Sequence, residues 1–126
     1  MDFKNAKELL DFCQKLNCPI SDIMKQRECT LAETSLEDIY AKMDHALSIM
    51  RESASSPIQE PKKSIGGLIG GEARLADLHR ARGAAICGSV LSRAITYSMA
   101  VLETNTSMGL IVAAPTAGAA GVLPGV

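Results

Sequence analysis

Aromatic residues are nearly absent from this 126-residue sequence, which has no Trp, two Phe and two Tyr. Hydrophobic residues still make up 47% of the chain, so a core can form, but it must rest on Leu, Ile, Val, Met and Ala. A basic surface is absent too, because the formal net charge is −1 and no basic stripe with interleaved aromatics occurs. We therefore expect no nucleic-acid partner.

The amino terminus lacks the apolar stretch of a secretion signal, because MDFKNAKELL is charged. We therefore expect a cytoplasmic location. Residues 104–126 lack any charge and are long enough to cross a membrane. However, two prolines and four glycines interrupt them and no aromatic residues flank them, which favours a buried segment next to a ligand over a membrane span.

Metal-binding cysteine motifs are also missing. Cys13, Cys18 and Cys29 have C-x4-C-x10-C spacing, and Cys87 stands apart, but no CxxC pair or nearby His completes a ligand set. Disulfides are rare in intracellular proteins. We predict buried or incidental thiols, with a metal or iron–sulfur site as the alternative.

What is present is helical periodicity. Asn5 with Glu8 resembles a capping box before an amphipathic helix over residues 6–17. Ser21 is a candidate N-cap for a short helix over residues 22–29. A third helix is predicted over residues 36–53, with an apolar stripe expected to pack into the core, although a docking surface is the alternative. Two candidate capping boxes precede that helix. They start at Thr30 and Ser35.

Residues 54–63 are rich in Ser, Pro and charge and are predicted to be a linker. They separate an amino-terminal helical region, 1–53, from a Gly- and Ala-rich region, 64–126. Two more helices are predicted there, over residues 72–82 and 84–103. The first should turn Leu75, Leu78 and Ala81 inward, and the second should be central. The expected fold class is all-α, with glycine-rich loops between helices.

The glycine run Ser64-Ile-Gly-Gly-Leu-Ile-Gly-Gly71 lies directly before a predicted helix. Backbone N–H groups at such a place can bind a carboxylate or a phosphate. The run matches neither a dinucleotide fingerprint nor a P-loop, and a simple flexible loop is the alternative. Neither His45 nor His79 is a convincing base, and we predict solvated or structural roles for both.

Residues 105–125 read NTSMGLIVAAPTAGAAGVLPG. This run resembles the N-x-x-M-G-x-I-x-A-A-P-T-A-G-S-A-G-V-x-P-G segment of the alpha chain of bacterial iron–sulfur-dependent L-serine dehydratase. The glycine run is similar to that family's S/T-G-L-S/T-G-G-D segment. Residues 21–24 and 43–50 are similar to its amino-terminal helices, so the likeness covers essentially the whole chain.

The resemblance implies part of an all-helical catalytic subunit, a lyase of amino-acid catabolism that eliminates water from L-serine to give pyruvate and ammonia. It implies a [4Fe–4S] cluster in the full-length enzyme, with its cysteines beyond Val126, and a separate beta chain. We therefore expect this fragment to bind no cluster, to be inactive alone and to be prone to self-association. Catalytic residues are not assigned. The predicted substrate-binding residues are Ser64, Gly67, Gly70, Gly71, Thr116, Ala117 and Gly118.

The sequence departs from the family pattern in the glycine run. Gly66 and Ile69 stand where hydroxyl residues are usual, and Glu72 stands where Asp is usual. A related lyase acting on another small hydroxy amino acid is therefore one alternative. The other is a non-catalytic helical module that docks on a partner through its apolar carboxy-terminal segment, without forming a small-molecule pocket.

Overall fold

A computed structural model describes residues 2–83 and 85–126, and within them the chain is all-α, as predicted, with no strand. A short 3-10 helix, Ala117–Ala119, precedes the last α-helix. The α-helices, in chain order, are α1 Ala6–Leu16, α2 Ile20–Leu31, α3 Leu36–Gln59, α4 Glu72–Ala81, α5 Gly88–Thr106 and α6 Val122–Gly125. None of the described helices has the length and apolar character of a membrane span.

The chain forms two compact units, Met1–His45 and Ala46–Val126, and the boundary falls inside α3. It does not coincide with the predicted linker, 54–63, because α3 continues to Gln59. The predicted end of this helix at residue 53 is therefore wrong. The assignment of 1–53 and 64–126 as separate regions stays a prediction.

In the amino-terminal unit, side-chain caps set the starts of helices. The Glu8 N–H donates to Asn5 Oδ1 at 3.0 Å, and Asn5 Nδ2 donates to Glu8 Oε1 at 2.9 Å, as the capping-box pattern predicts. Ser35 rather than Thr30 caps α3, because the Asp38 N–H donates to Ser35 Oγ at 3.1 Å. Thr30 lies inside α2 and bonds its hydroxyl to the Gln26 carbonyl.

The start of α2 differs from the prediction. Pro19, in an extended conformation, is its N-cap, so Ser21 lies within the helix rather than at its cap. The Pro19 carbonyl accepts the Asp22 N–H at 3.0 Å and so begins the helix two residues earlier than predicted. Ile23 is fully buried in this helix.

The second unit packs α5 against α4 and α6. Its predicted helix over residues 84–103 begins later and ends later, since α5 spans Gly88–Thr106, and the predicted start at residue 84 lies outside the described residues. Val101, Ala54 and Ala120 form the apolar core, with Tyr97 and Ile111 packed against them. Val90 is 83% exposed, so α5 is central only along its buried face.

Two predicted apolar faces are not buried. On α4, Leu75 is 68% exposed and Leu78 47% exposed, while Ala73 is fully buried. The inward-face prediction for α4, which included Ala81, is therefore wrong, because the covered face is that of Ala73, Ala76 and Arg80. The predicted stripe of α3 is also exposed in part, with Met43 at 62% and Leu47 at 43%.

Pro57 lies inside the last turns of α3, where it has no N–H to donate to the carbonyl of Ser53. The hydroxyl of Thr104 lies 2.8 Å from that carbonyl oxygen and supplies the missing hydrogen bond. Because the Thr104 hydroxyl takes the place of the missing backbone N–H, α3 continues through Pro57, which the sequence placed in a predicted linker. This hydrogen bond also joins α3 to α5.

Candidate functional site

The glycine run forms a tight loop closed by Ser64. The Ser64 N–H donates to the Ile69 carbonyl at 2.7 Å, and the Ile69 N–H donates to Ser64 Oγ at 3.2 Å. Gly70 has a φ of 150°, and a Cβ there would lie 2.6 Å from the Lys62 carbonyl oxygen. Only glycine fits this position, because both the backbone conformation and the space exclude a side chain.

The loop leads into the N-terminus of α4, where the predicted N–H donors converge on carboxylates of the chain itself. The Gly71 N–H donates to Glu103 Oε2 at 3.0 Å, and the Ala73 N–H donates to Glu103 Oε1 at 2.6 Å. Glu103 is only 3% exposed. A buried carboxylate at a helix N-terminus is stabilised by these N–H groups and by the helix dipole. The anion-binding site that the glycine run predicts is therefore occupied by the carboxylate of Glu103, a residue of the same chain.

A second carboxylate caps the same loop. Glu72 Oε2 accepts the Gly70 N–H at 2.7 Å. Hydrogen bonds from the backbone N–H of Glu72 itself and from that of Gly70 hold the pKa of the Glu72 carboxyl below its usual range. The charged form of Glu72 is thus favoured at the loop, as an N-terminal helix position also favours it.

The other predicted site residues lie on the chain between α5 and α6. Thr116, Ala117 and Gly118 are exposed, and the Thr116 carbonyl accepts the Ala119 N–H at 3.1 Å in the 3-10 turn. They follow a cis peptide bond between Ala114 and Pro115. The substrate-binding role of the seven predicted residues stays a prediction.

A pocket of about 380 Å³ lies between α3, the start of the glycine loop and the end of α5. Its volume is typical of small-molecule sites, which span about 300–1,000 Å³. None of the seven predicted residues lines it. The lining residues are Ile49, Glu52, Ser53, Ser56, Pro57, Glu60, Lys62, Glu103, Thr104, Ser107, Met108, Gly109 and Leu110.

The wall of the pocket after α5 has an unusual backbone. Met108 has a φ of 62°, a conformation uncommon for residues other than glycine. The following N–H, of Gly109, donates to the Thr104 carbonyl at 2.8 Å. A Cβ on Gly109 would lie 2.6 Å from Thr104 Cγ2, so this turn is fixed by close contact with α5.

Sequence reasoning missed the pocket side chains of Glu52, Ser56 and Lys62. Only Lys62 had a signal in the sequence, because it lies just before the glycine run. What the sequence could not show was that the helix continues past Ser53 and brings Ser56 to the same pocket as Ser107.

The cysteines do not form a ligand set. Within the part of the chain that the structure describes, no three His, Cys, Asp or Glu side chains are grouped so as to hold a metal ion. Cys13, Cys18 and Cys29 are half-buried thiols rather than fully buried ones, and Cys87 is exposed. Partial burial, together with Cys13 and Asp22 nearby, raises the pKa of the Cys18 thiol.

Both histidines lie on helices. His79 is in the last turn of α4 and borders a separate, mostly apolar pocket of about 290 Å³ together with Arg80 and Cys87. His45 lies on α3 and interacts with another group. The structure assigns neither residue to the pocket of about 380 Å³.

The site thus defines an all-α protein with a glycine loop capped by a buried carboxylate, and with a pocket beside it that is large enough for a small molecule. Residues 15–126 match the family described as serine dehydratase alpha chain. Because the match covers most of the chain, this chain belongs to the serine dehydratase alpha chain family.

Three relatives are similar to this chain over almost its whole length. A probable L-serine dehydratase alpha chain of Bacillus subtilis is 39% identical over 98% of this chain and 41% of its own length. An L-serine dehydratase alpha chain of Peptoniphilus asaccharolyticus is 32% identical over 94% of this chain and 41% of its own length. An L-serine dehydratase of Helicobacter pylori is 31% identical over 99% of this chain and 28% of its own length.

The chain thus spans less than half the length of the relatives it matches. No solved structure matches it significantly.

Proposed function

We propose that this chain supplies part of the alpha subunit of an L-serine dehydratase, which converts L-serine to pyruvate and ammonia. The observation that carries the proposal is the family match over residues 15–126, together with relatives named for this activity. In the reaction the α-proton and the β-hydroxyl leave as water, and the aminoacrylate product becomes an imine. Hydrolysis of the imine yields pyruvate and ammonia.

A [4Fe–4S] cluster belongs to this proposal as a cofactor of the complete enzyme. The described residues do not fit it, since they bring no three ligands together. We therefore propose that its ligands come from outside this chain. The alpha-chain names of two relatives support a beta-chain partner, and we propose a cytoplasmic location and no nucleic-acid partner.

The residues of this chain would bind and orient the amino acid. The predicted donors at Gly70 and Gly71 are already bonded to Glu72 and Glu103, so they would reach a substrate carboxylate only after those carboxylates move away. The pocket of about 380 Å³ weighs against the purely docking alternative, which requires that no small-molecule pocket forms. The other five predicted residues stay candidates for backbone or hydroxyl contacts, and they are Ser64, Gly67, Thr116, Ala117 and Gly118.

A chimeric alpha chain tests the proposal. The matching part of the Bacillus subtilis relative is replaced by this chain, and the product is purified without oxygen together with a beta chain. We expect pyruvate from L-serine, and no pyruvate from this chain alone or from the chimera without the beta chain. Activity with L-threonine but not L-serine would favour the alternative substrate.

The cluster provides the control for the chimera, because its absorbance reports assembly independently of turnover. A chimera that shows full cluster absorbance but forms neither pyruvate from L-serine nor 2-oxobutyrate from L-threonine would contradict the proposed function.

A further inference from the structure

We infer that the pocket between α3 and the end of α5 binds a small α-amino acid as a zwitterion, with Lys62 holding its carboxylate and Glu52 its ammonium group. The inference rests on the proposed function, which supplies L-serine as the amino acid. It adds a binding site whose charged residues lie outside both sequence runs that resemble the family.

The charged side chains of Lys62 and Glu52 can bind a charged ligand. Within residues 2–83 and 85–126, neither Lys62 nor Glu52 forms an ion pair. Glu103, the buried carboxylate of the same pocket, is by contrast bonded to the N–H groups of Gly71 and Ala73. The pocket thus offers one cation, Lys62, and two carboxylates, Glu52 and Glu60, without ion-pair partners among the described residues. Charges of both signs match the two charged ends of an amino acid, and charge-assisted hydrogen bonds would fix both ends.

Hydroxyl groups supply the remaining polar contacts. Ser56 lies on α3 and Ser107 at the end of α5, and both line the pocket. The Ser107 hydroxyl donates to the Thr104 carbonyl at 3.1 Å, which leaves its oxygen lone pairs free to accept a hydrogen bond. A ligand hydroxyl or ammonium group can donate to such an oxygen. A small polar side chain such as that of serine is therefore accommodated.

Other classes of ligand fit less well. A phosphate dianion would be repelled by Glu52 and Glu60, which both line the pocket. An apolar ligand would gain nothing from the charges of Lys62 and Glu52, which are both exposed. A divalent metal ion would need a group of ligands that the described residues do not form. Unlike these three classes, a zwitterion offers a partner to both signs of charge.

The binding experiment follows backbone amide signals of the isotope-labelled chain during titration with L-serine. We expect saturable shifts at Ser107 and Gly109. Two truncated ligands test the charge assignment: ethanolamine lacks the carboxylate and 3-hydroxypropanoate lacks the ammonium group. Each should bind at least about tenfold more weakly, the equivalent of about 1.4 kcal/mol.

Substitutions at Lys62 and Glu52 test which residue binds which charged group of the ligand. Lys62→Ala should weaken L-serine binding about tenfold or more, whereas Lys63→Ala, next in sequence but outside the pocket lining, should leave it unchanged. Glu52→Gln should weaken binding of L-serine and ethanolamine but not of 3-hydroxypropanoate. Unchanged helical circular dichroism shows that each variant is folded, and Lys62→Met serves if Lys62→Ala is not.

The outcomes separate this inference from the proposed function. If the chimera forms pyruvate and Lys62→Ala in it leaves the KM for L-serine unchanged, the pocket inference is overturned while the function stands. If L-serine does not bind but another amino acid does, with the same dependence on Lys62 and Glu52, the pocket stands and the serine assignment falls. Shifts confined to residues outside the pocket would overturn the inference.

Discussion

The Thr104 hydroxyl lies 2.8 Å from the carbonyl oxygen of Ser53, the acceptor that Pro57 leaves without a helical partner. Both residues are buried, Ser53 at 2% and Thr104 at 8% exposure. A buried carbonyl left without a donor costs about 1–3 kcal/mol. This contact therefore stabilises α3 at Pro57, in the part of the helix that lines the pocket.

We predict that Thr104→Val, which keeps the shape but removes the donor, lowers the free energy of unfolding by about 1–3 kcal/mol. Thr106→Val is the matched control, because the Thr106 hydroxyl bonds only within its own helix, to the Glu103 carbonyl, and its loss should cost less. Urea unfolding measures both values.

A double-mutant cycle makes that prediction specific. Pro57→Ala restores an N–H that can reach the Ser53 carbonyl, so Thr104→Val should cost less in the Pro57→Ala background than in the parent chain. Equal costs in the two backgrounds would show that the Thr104 hydroxyl does not replace the missing N–H.

Glu103 also joins distant parts of the chain, and its hydrogen bonds give a second stability prediction. Glu103→Ala leaves the N–H groups of Gly71 and Ala73 without an acceptor and should lower the free energy of unfolding by at least about 2 kcal/mol. Glu103→Gln keeps one oxygen acceptor and should lose less. Amide hydrogen exchange should speed up at both Gly71 and Ala73 in Glu103→Ala and at one of the two in Glu103→Gln. Unchanged exchange at both residues in Glu103→Ala would contradict the assigned hydrogen bonds.

The cap at Asn5 was predictable from sequence, because the groups that form it lie three residues apart. Ser35 was one of two candidates for the cap of α3, and the structure decides between them. The Glu103 cap was not predictable from sequence, because the carboxylate lies 30 residues from the N–H of Ala73 that it accepts. Local patterns identify a helix N-terminus that attracts an anion, but they do not reveal that the anion is a side chain of the same protein.

Burial of helix faces was predicted less well for a related reason. On α4 the sequence favoured Leu75 and Leu78 as inward residues, whereas the structure buries Ala73 beside Glu103. Periodicity identifies a helix, but which face is covered depends on neighbours far away in sequence. The pocket could not be predicted from the sequence, because it is formed by the continuation of α3 past residue 53 together with the end of α5.

Gly121 packs directly against α5, and this close approach gives a third prediction. A Cβ at Gly121 would lie 2.7 Å from the Ser98 carbonyl oxygen, a backbone atom that cannot rotate away. Gly121→Ala should therefore lower the free energy of unfolding by about 1–3 kcal/mol. Gly66→Ala is the control, because nothing lies within 4 Å of the position that its methyl group would occupy and its backbone is not left-handed. A thermal shift as large for Gly66→Ala as for Gly121→Ala would contradict the packing argument.

The choice between two capping boxes gives a fourth prediction. Ser35→Ala removes the acceptor of the Asp38 N–H and should cost about 1 kcal/mol of stability. Thr30→Ala should cost less, because the Thr30 hydroxyl bonds to the Gln26 carbonyl inside α2 and caps nothing. Urea unfolding followed by circular dichroism compares them. A larger loss for Thr30→Ala would show that the cap is assigned to the wrong residue.

The Asp38 carboxylate makes the same cap dependent on pH. Hydrogen bonds from the Ser35 and Thr34 hydroxyls hold the pKa of Asp38 below its usual range. Since the folded-state pKa is lower than the unfolded value of about 3.9, the contribution of Asp38 to stability is present above that pH. It is lost as the pH falls through the folded-state pKa. The stability difference between the parent chain and Asp38→Asn should therefore be constant near neutral pH and shrink below about pH 4. Unfolding by urea at a series of pH values measures it, and a difference that grows on acidification would reverse the assigned sign.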